Sequence, residues 1–406
     1  MQNTVYIIGI GGIGVSAIAR YYLHQGWKVY GSDKTDSELI HQLTQEGCDI
    51  IIGEDIARIE RLGKDPLEET LVVYTEAIPD SQSELMQARK QDIRTRSYPQ
   101  ALGDIVNTSK LITVAGTHGK STTTSLTSLV LKDSENGVNA IIGTILKEFG
   151  NKNTHFSESD TFVIEACEYK RSFLQYRPAV AVITNIEVDH LDYYKDEADY
   201  LSAFTELVEH VIPDGFVILD KNDRLSKKLM GLREDIHYIT IDENVFQFGE
   251  EVFQFPEIHL QIPGKHILYD AHLAYIVGFM FGIPSDDIVT TLENYTGVWR
   301  RMEIIGTTEH ENILMSDYGH HPTEISLTLG AIKERHPEKH LYVVFQPHQY
   351  NRTIELLDGF STCFYAADTL VIPDIYESRD SEEDKQKINA SLLVKAIDHP
   401  NIYNGD

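Results

Sequence analysis

The 406-residue chain is poor in cysteine and contains no long apolar run. Its three cysteines, Cys48, Cys167 and Cys363, are scattered and odd in number. They predict neither a disulfide framework nor a zinc site, and they favour a reducing, cytoplasmic location. No apolar stretch approaches the ~20 residues that a membrane-spanning helix needs, and no basic region precedes the first one. We therefore expect no membrane partner.

Basic residues are also few: 35 Lys and Arg face 63 Asp and Glu, for a net charge of −28. A general nucleic-acid binder needs a basic surface to displace counterions from phosphates, so we expect no nucleic-acid partner. Small anionic ligands are not excluded, because a local loop can outweigh the global charge. Each Lys or Arg in a glycine-rich context is therefore informative.

Short apolar strands alternate with helical stretches along the chain. This pattern predicts an α/β fold whose mostly parallel sheets are covered on both faces. We expect three units, at residues 1–107, 108–296 and 297–406. The aromatic, alternating segment 243–264 predicts a small antiparallel appendage, and the acidic run 378–385 a solvated loop.

The first glycine loop, IIGIGGIG at residues 7–14, lies between a predicted strand and a predicted helix. Gly9, Gly11 and Gly14 form G-x-G-x-x-G, which lets a diphosphate approach the helix N-terminus. Asp33 ends the next strand, where an acid could accept a ribose hydroxyl. Alone, the pattern indicates a diphosphate-bearing ligand such as a nicotinamide or flavin cofactor. A glycine turn that merely closes helix on sheet is the alternative.

The second glycine loop is GTHGKST at residues 116–122. Val114 stands where the usual ATP-loop pattern has its first glycine, but the chemically essential parts remain. Backbone N–H groups can hold phosphate oxygens, Lys120 can reach the outer phosphates and Ser121 can ligate Mg²⁺. An ordinary capped helix N-terminus is the alternative, and the Lys after Gly favours ATP.

Acidic residues follow two of the predicted strands near this loop. Glu165 closes one strand and Glu168 follows it, and Asp189 and His190 lie just beyond the end of the next. Carboxylates at the carboxyl ends of neighbouring strands are suitable Mg²⁺ ligands, whereas histidine is an unusual one. Each residue alone could be an exposed loop acid or a capping histidine. Their alignment with a phosphate loop favours a metal site.

Six segments in order resemble the Mur ligase family, and within it the alanine-adding members: GTHGKST, IEACEYKRSF, ITNIEVDHLDYY, GVWRRME, SDYGHHPTEI and FQPHQYNRT. The opening IGIGGIGVSAIA with GSD is similar to the family's uridine-diphosphate region. The resemblance covers essentially the whole chain. It implies three domains: an N-terminal Rossmann-like UDP-binding domain, a central P-loop ATPase domain with a mostly parallel sheet, and a C-terminal Rossmann-like domain.

The resemblance implies ATP-dependent ligation of L-alanine to the lactyl carboxylate of UDP-N-acetylmuramate through an acyl phosphate, in peptidoglycan precursor synthesis. ATP and Mg²⁺ are the implied cofactors. The first loop would then hold the diphosphate of a UDP-sugar and the second loop ATP. The implied UDP-sugar residues are Gly11, Gly12, Ile13, Gly14, Ser32 and Asp33.

The other implied site residues belong to three groups. The ATP-binding residues are Gly116, Thr117, His118, Gly119, Lys120, Ser121, Thr122, His266 and Asp270. The metal ligands are Ser121, Glu165 and His190. The catalytic residues are Lys120, Glu165, His190, His320 and Arg352, with Tyr318 also matching a residue that faces the substrate junction.

Three departures from the family pattern matter. Many relatives carry Arg where this chain has Gln349, and Ile267 and Asp270 replace two asparagines of the adenine-side stretch. The chain ends at NIYNGD, so we expect the final sheet to lack its last strand. Three alternatives stay open: a ligase that attaches a preformed peptide to the same UDP-sugar, a weakened nucleotide-binding homologue, and a dinucleotide-dependent oxidoreductase. The last leaves GTHGKST, Glu165 and His190 without a role.

Overall fold

The structure is a computed structural model that describes residues 3–64, 69–377 and 380–405. Its first sheet has five parallel strands in the order β3-β2-β1-β4-β5. The strands are β1 (Thr4–Ile8), β2 (Lys28–Asp33), β3 (Asp49–Ile52), β4 (Thr70–Tyr74) and β5 (Arg94–Ser97). The helices between and after them are α1 (Ile13–His24), α2 (Glu38–Glu46), α3 (Ile56–Leu62), α4 (Ser83–Lys90) and α5 (Tyr98–Val106).

The second sheet has nine strands in the order β14-β13-β12-β11-β10-β6-β9-β7-β8. They are β6 (Lys110–Ala115), β7 (Asn139–Leu146), β8 (Lys152–His155), β9 (Thr161–Glu165), β10 (Val180–Ile183), β11 (Phe216–Asp220), β12 (His237–Asp242), β13 (Val245–Phe248) and β14 (Glu251–Gln254). The accompanying helices are α6 (Lys120–Lys132), α7 (Glu197–Glu209), α8 (Lys265–Met280) and α9 (Ser285–Glu293).

The inner strands of this second sheet pair in parallel, and each edge carries an antiparallel hairpin. The hairpin of β13 and β14 confirms the antiparallel appendage predicted for residues 243–264. Four strands at the centre of the sheet are almost wholly buried, because helices cover both faces. Their apolar runs therefore show no alternation.

The C-terminal part of the chain forms two small sheets. The first is an antiparallel pair, β15 (Glu303–Thr307) and β16 (Ile313–Ser316). The second is a parallel sheet of β17 (Tyr342–Val344), β18 (Thr369–Pro373) and β19 (Ile402–Gly405). The helices are α10 (Pro322–Arg335), α11 (Tyr350–Glu355), α12 (Leu357–Phe360), α13 (Glu382–Lys387) and α14 (Ala390–Ala396).

The acidic run 378–385 was predicted to be a loop, and this is wrong for its second half. Ser381 caps α13 by accepting the N–H of Asp384, and the acidic residues of the first turn suit the positive end of the helix dipole. Ser378 and Arg379 lie outside the described residues.

Helix α1 of the first sheet is bonded directly to strand β8 of the second. Asn153 on β8 is fully buried; its amide donates to the Ile13 carbonyl at 2.6 Å and its oxygen accepts from Arg20 at 2.6 Å. Arg20 also forms an ion pair with Glu46 at 2.9 Å. One apolar core runs through both sheets. The two glycine loops are therefore held in a fixed relation.

Candidate active site

The second glycine loop connects β6 to α6 and depends on two glycines. Gly116 has a φ of +133° and Gly119 a φ of +80°, where only glycine is unstrained. A Cβ on Gly116 would overlap the Thr184 hydroxyl, and one on Gly119 would overlap the Asp270 carboxyl. Any other residue at either position would therefore strain the loop.

Residues after β10 hold this loop in shape. The His118 N–H donates to Asn185 Oδ1 at 3.0 Å, and the Thr184 hydroxyl donates to the His118 carbonyl at 2.5 Å. The Thr117 hydroxyl donates to the Glu187 carbonyl at 2.6 Å. The loop is thus preorganised, with its conformation fixed by the protein itself.

Lys120 opens α6 and turns its ammonium back into the loop. Its Nζ donates to the carbonyls of Gly116 at 2.6 Å and Thr117 at 2.9 Å, and to the Glu168 carboxylate at 3.1 Å. Burial opposes its charge, but Glu168 and neighbouring acidic groups outweigh burial and raise the pKa of Lys120. Lys120 is therefore a charged group beside the loop.

Glu168 links Lys120 to His190. Its side chain is only 1% exposed, and its Oε1 lies 3.6 Å from His190 Nε2. Burial raises the pKa of Glu168, but Lys120 and His190 outweigh burial and lower it. His190 itself has a φ of +57°, and its N–H donates to Asp189 Oδ1 at 2.7 Å. The loop after β10 is thus fixed where it carries this histidine.

Two of the three residues predicted to bind metal, Ser121 and Glu165, carry oxygen atoms that suit a hard cation, whereas His190 offers a nitrogen. Glu165 ends β9, accepts the Gly143 N–H at 3.0 Å and is one of the acids that raise the pKa of Lys120. Ser121 follows Lys120 in α6. Glu168 Oε2 is buried and lies 3.1 Å from Lys120 Nζ, so Lys120 is its ion-pair partner. Hydroxyl and carboxylate oxygens are the ligands that Mg²⁺ prefers.

A cavity of about 770 Å³ opens beside the loop, within the size range of small-molecule sites. Six of the residues predicted to bind ATP line it: His118, Gly119, Ser121, Thr122, His266 and Asp270. Its other wall comes from the C-terminal part of the chain, with Arg301, Asp317, Thr323 and Glu324. The structure therefore brings the adenine-side stretch and the glycine loop to one cavity.

The departure at Asp270 lies directly under the loop. Asp270 is 4% exposed, and the Thr123 hydroxyl donates to its Oδ1 at 3.0 Å. Burial raises its pKa well above the usual carboxyl range. A protonated carboxyl can both donate and accept a hydrogen bond, as the family's asparagine does. Burial also lowers the pKa of His266 to about 4, so this histidine is neutral at pH 7.

His118 lies between two carboxylates. Its Nε2 is 3.0 Å from Glu187 Oε2, and its Nδ1 is 3.3 Å from Glu324 Oε1. The His321 ring lies beside it, with ring centroids 4.7 Å apart. His118, Glu187 and His321 have ligand atoms within 4.8 Å of one another, which could hold a metal ion. Because both His118 nitrogens face carboxylates, we interpret the group as an ionic cluster.

Two residues predicted from the C-terminal part interact with Asp189, the residue before His190. Arg352 Nε is 3.9 Å from Asp189 Oδ1. Burial opposes the charge of Asp189, but His190 and Arg352 outweigh burial and lower its pKa to about 2. Burial lowers the pKa of His320 to about 4. His320 is thus a neutral imidazole at pH 7, whereas Asp189 is an anion.

The first glycine loop joins β1 to α1, as predicted. The Gly11 N–H donates to Asp33 Oδ2 at 2.9 Å, so an amide predicted to bind a diphosphate already has an acceptor in the protein. Gly12 and Ile13 stand at the start of α1. A Cβ on Gly14 would lie 2.8 Å from the Tyr98 ring, which explains the third glycine.

Ser32 lies at the carboxyl end of β2, bonded to a buried acid. Its hydroxyl donates to Glu84 Oε2 at 2.9 Å, and Glu84 is 1% exposed. Tyr6 and the Asp55 N–H donate to Glu84 Oε1 at 2.5 and 2.9 Å. Glu84 is therefore a satisfied buried carboxylate that fixes Ser32.

The structure thus brings only part of the predicted set to this cavity, whose lining, within the described part of the chain, lacks Lys120, Glu165, His190, His320 and Arg352. Over the described residues, the lining of the cavity includes none of the six residues predicted to bind the UDP-sugar. Sequence reasoning did not single out Glu187 or Glu324. Glu187 follows β10 three positions before His190, and Glu324 lies one helical turn after His320. These spacings were signals that could have identified both acids.

Family models and curated relatives cover nearly the whole chain. The Mur ligase family catalytic domain matches residues 4–110, the Mur ligase middle domain 114–278, and the Mur ligase glutamate ligase domain 300–404. A UDP-N-acetylmuramate–L-alanine ligase of Clostridium novyi is 37% identical over 98% of this chain and 87% of its own length. The chain belongs to the Mur ligase family. A ligase of the same name from Alkaliphilus metalliredigens is 35% identical over 99% and 89%.

Solved structures of Mur ligases show the same fold. A UDP-N-acetylmuramate–alanine ligase of Thermotoga maritima has a TM-score of 0.78 at 23% identity, over 99% of this chain and 90% of that one. A murein peptide ligase of Psychrobacter arcticus has a TM-score of 0.73 at 22% identity, over 99% and 91%. The predicted fold class and the predicted class of enzyme, an ATP-dependent ADP-forming ligase, are confirmed.

Mur ligases in general use ATP and Mg²⁺. Over the residues that the structure describes, no helix combines the length and the apolar character needed to cross a bilayer.

Proposed function

We propose that this Mur ligase joins L-alanine to the lactyl carboxylate of UDP-N-acetylmuramate, with hydrolysis of ATP to ADP and phosphate. The observation that carries the proposal is one cavity lined by both the lysine-bearing glycine loop and the adenine-side residues, in a chain whose full-length relatives bear that name. The proposed reactants are ATP, UDP-N-acetylmuramate and L-alanine, and the proposed cofactor is Mg²⁺. We propose a cytoplasmic location.

The chemistry requires an activated carboxylate, because a carboxylate does not react with an amine in water. The lactyl carboxylate would attack the γ-phosphorus of ATP and release ADP, giving an acyl phosphate. The amine of L-alanine would then attack the acyl carbon, and phosphate would leave through a tetrahedral intermediate. Positioning and charge neutralisation would supply most of the catalysis.

Lys120 is proposed to leave its loop acceptors and bind the β- and γ-phosphates. Loop amides around His118 and Gly119 would hold phosphate oxygens. Ser121, Glu165 and His190 would hold Mg²⁺, which when bound would neutralise charge on the phosphates. Glu168 is already paired with Lys120 at 3.1 Å and would keep the ammonium beside the reacting phosphate.

The C-terminal residues are proposed to act at the junction between carboxylate and amine. Arg352, 3.9 Å from Asp189, is suited to an anionic group beside His190. His320 is a neutral imidazole at pH 7 and is proposed to orient the attacking amine through a hydrogen bond. Closure of this part of the chain would exclude water from the acyl phosphate.

The first glycine loop is proposed to bind the UDP-sugar. Amides of Gly11, Gly12, Ile13 and Gly14 would face the diphosphate, and Ser32 and Asp33 the uridine side. The proposed domain division is 1–107, 108–296 and 297–406. It is supported by the extents of the first two sheets, Thr4–Ser97 and Lys110–Gln254.

The test is phosphate release from purified protein with ATP, Mg²⁺ and UDP-N-acetylmuramate, with and without L-alanine. Release that requires both the UDP-sugar and L-alanine, together with the coupled product, is expected. The control is the double variant K120M/E168Q, which removes the ammonium without leaving a buried charge. Release with a preformed peptide in place of L-alanine would favour the peptide-adding ligase. Binding of ATP without release would favour the weakened homologue.

A further inference from the structure

Glu324 lies where the C-terminal part of the chain meets the nucleotide loop. It stands in the first turn of α10, and its side chain is 10% exposed. Its carboxylate accepts from Arg301 Nη1 at 3.2 Å and from the His320 N–H at 3.3 Å. The third partner is His118 of the nucleotide loop, whose Nδ1 lies 3.3 Å from Glu324 Oε1. One carboxylate therefore contacts the nucleotide loop, the segment before β15, and α10 itself.

The imidazole of His118 is charged in this arrangement. Both nitrogens face carboxylate oxygens, which requires both to carry a proton. Burial opposes the charge, but Glu187 and Glu324 outweigh burial and raise the pKa of His118 to about 9. The pKa of Glu324 falls well below its usual range, because Arg301 and His118 outweigh its burial. Arg301, Glu324, His118 and Glu187 therefore form one connected series of ion pairs beside the cavity.

A second contact crosses the same boundary. The Thr323 hydroxyl donates to Glu187 Oε1 at 2.8 Å, and the other oxygen of Glu187 faces His118. Glu324 of α10 thus contacts His118 Nδ1 directly, and the adjacent Thr323 bonds the Glu187 carboxylate that faces His118 Nε2. The position of α10 therefore determines the orientation of the imidazole. The backbone N–H and carbonyl of His118 are hydrogen-bonded to Asn185 and Thr184. The imidazole is therefore attached to the fixed loop that is proposed to hold phosphate.

We propose that Glu324 is a positioning residue that couples α10 to the nucleotide loop by holding His118, so that ATP affinity depends on the place of α10. The inference rests on the proposed function, since it takes the cavity as the ATP site. Glu324 and His118 both line that cavity and are in contact with each other. A nucleotide bound beside them would bind most tightly when this ionic contact holds α10 against the loop.

The experiment is a double-mutant cycle on ATP binding by the full chain. Dissociation constants for ATP with Mg²⁺ are measured by calorimetry for wild type, E324Q, H118N and the double variant. We expect each single variant to weaken ATP binding roughly five- to fiftyfold, within the usual range of coupling between sites. The double variant is expected to bind ATP no more weakly than whichever single variant has the larger dissociation constant. Binding of UDP-N-acetylmuramate should stay unchanged in all four.

The matched control is E334Q, an exposed glutamate of the same helix, which should bind ATP as wild type does. Circular dichroism establishes that each variant is folded, and H118N tests the contact from its other side. Wild-type affinity in E324Q, tighter binding in E324Q, or additive losses in the double variant would each overturn the inference alone. Absence of ATP binding by wild type would overturn the proposed function and the inference together.

Discussion

Removing the charge of Lys120 is expected to destabilise the protein as well as inactivate it. Glu168 is 1% exposed, and Lys120 is the cation that pairs with it at 3.1 Å. Lys120→Met would leave that carboxylate buried beside a neutral chain. Breaking a buried ion pair from one side costs about 3–5 kcal/mol, whereas replacing both partners by uncharged groups is often nearly neutral. We therefore expect K120M to be much less stable than K120M/E168Q.

Hydrogen exchange read by mass spectrometry on peptides from β6 and α6 measures this difference. A loss of about 3–5 kcal/mol speeds exchange through opening by roughly two to almost four orders of magnitude. K120M/E168Q should recover most of the protection while staying inactive. Lys221→Met is the control, since its pair with Asp242 is exposed at 39% and 41% and should contribute little to stability. Equal exchange in K120M and wild type, or no recovery in the double variant, would refute the reasoning.

Three further changes test other contacts. Asp270→Asn should remove a pH dependence of stability. Because the pKa of Asp270 is raised in the folded protein, wild-type stability should fall as pH rises above the usual carboxyl range, whereas the stability of the variant should not. Hydrogen exchange of α8 measured from pH 5 to 8 tests this. Gly116→Ala should abolish tight ATP binding in calorimetry while UDP-sugar binding persists, because the strain of about 1–3 kcal/mol adds to overlap with Thr184. Asn153→Ala should cost about 1–3 kcal/mol of exchange protection in α1, because it leaves buried Arg20 without its amide partner; unchanged protection would contradict this.

The glycine loops and the buried strands could be predicted from sequence because their signals are local. A strand covered on both faces must be apolar throughout, as β10 (Val180–Ile183) is, and Asp33 ends β2 as the sequence predicts. The edge strand β5 at Arg94–Ser97 has no such signal, because its sequence RTRS is polar. Its place is fixed by pairing with β4, which composition does not reveal.

The site could be predicted only as far as its motifs reach. Lys120 is predicted from the GTHGKST loop, and Glu165 is predicted because it closes a strand beside that loop. The contact between His118 and Glu324 joins residues far apart in sequence, and its existence depends on how α10 packs against the loop. The raised pKa of Asp270 could not be predicted either, because it results from burial under Gly119.

Both phosphate-type loops are already bonded to groups of the protein. Asp33 supplies an anionic oxygen to the Gly11 amide, and Lys120 is bonded to two loop carbonyls and a buried acid. Binding therefore becomes an exchange reaction, in which a phosphate must displace the Asp33 carboxylate from the Gly11 amide or recruit an ammonium that is already engaged. Affinity at the first loop then measures how much better the ligand is than Asp33 as an acceptor for that amide.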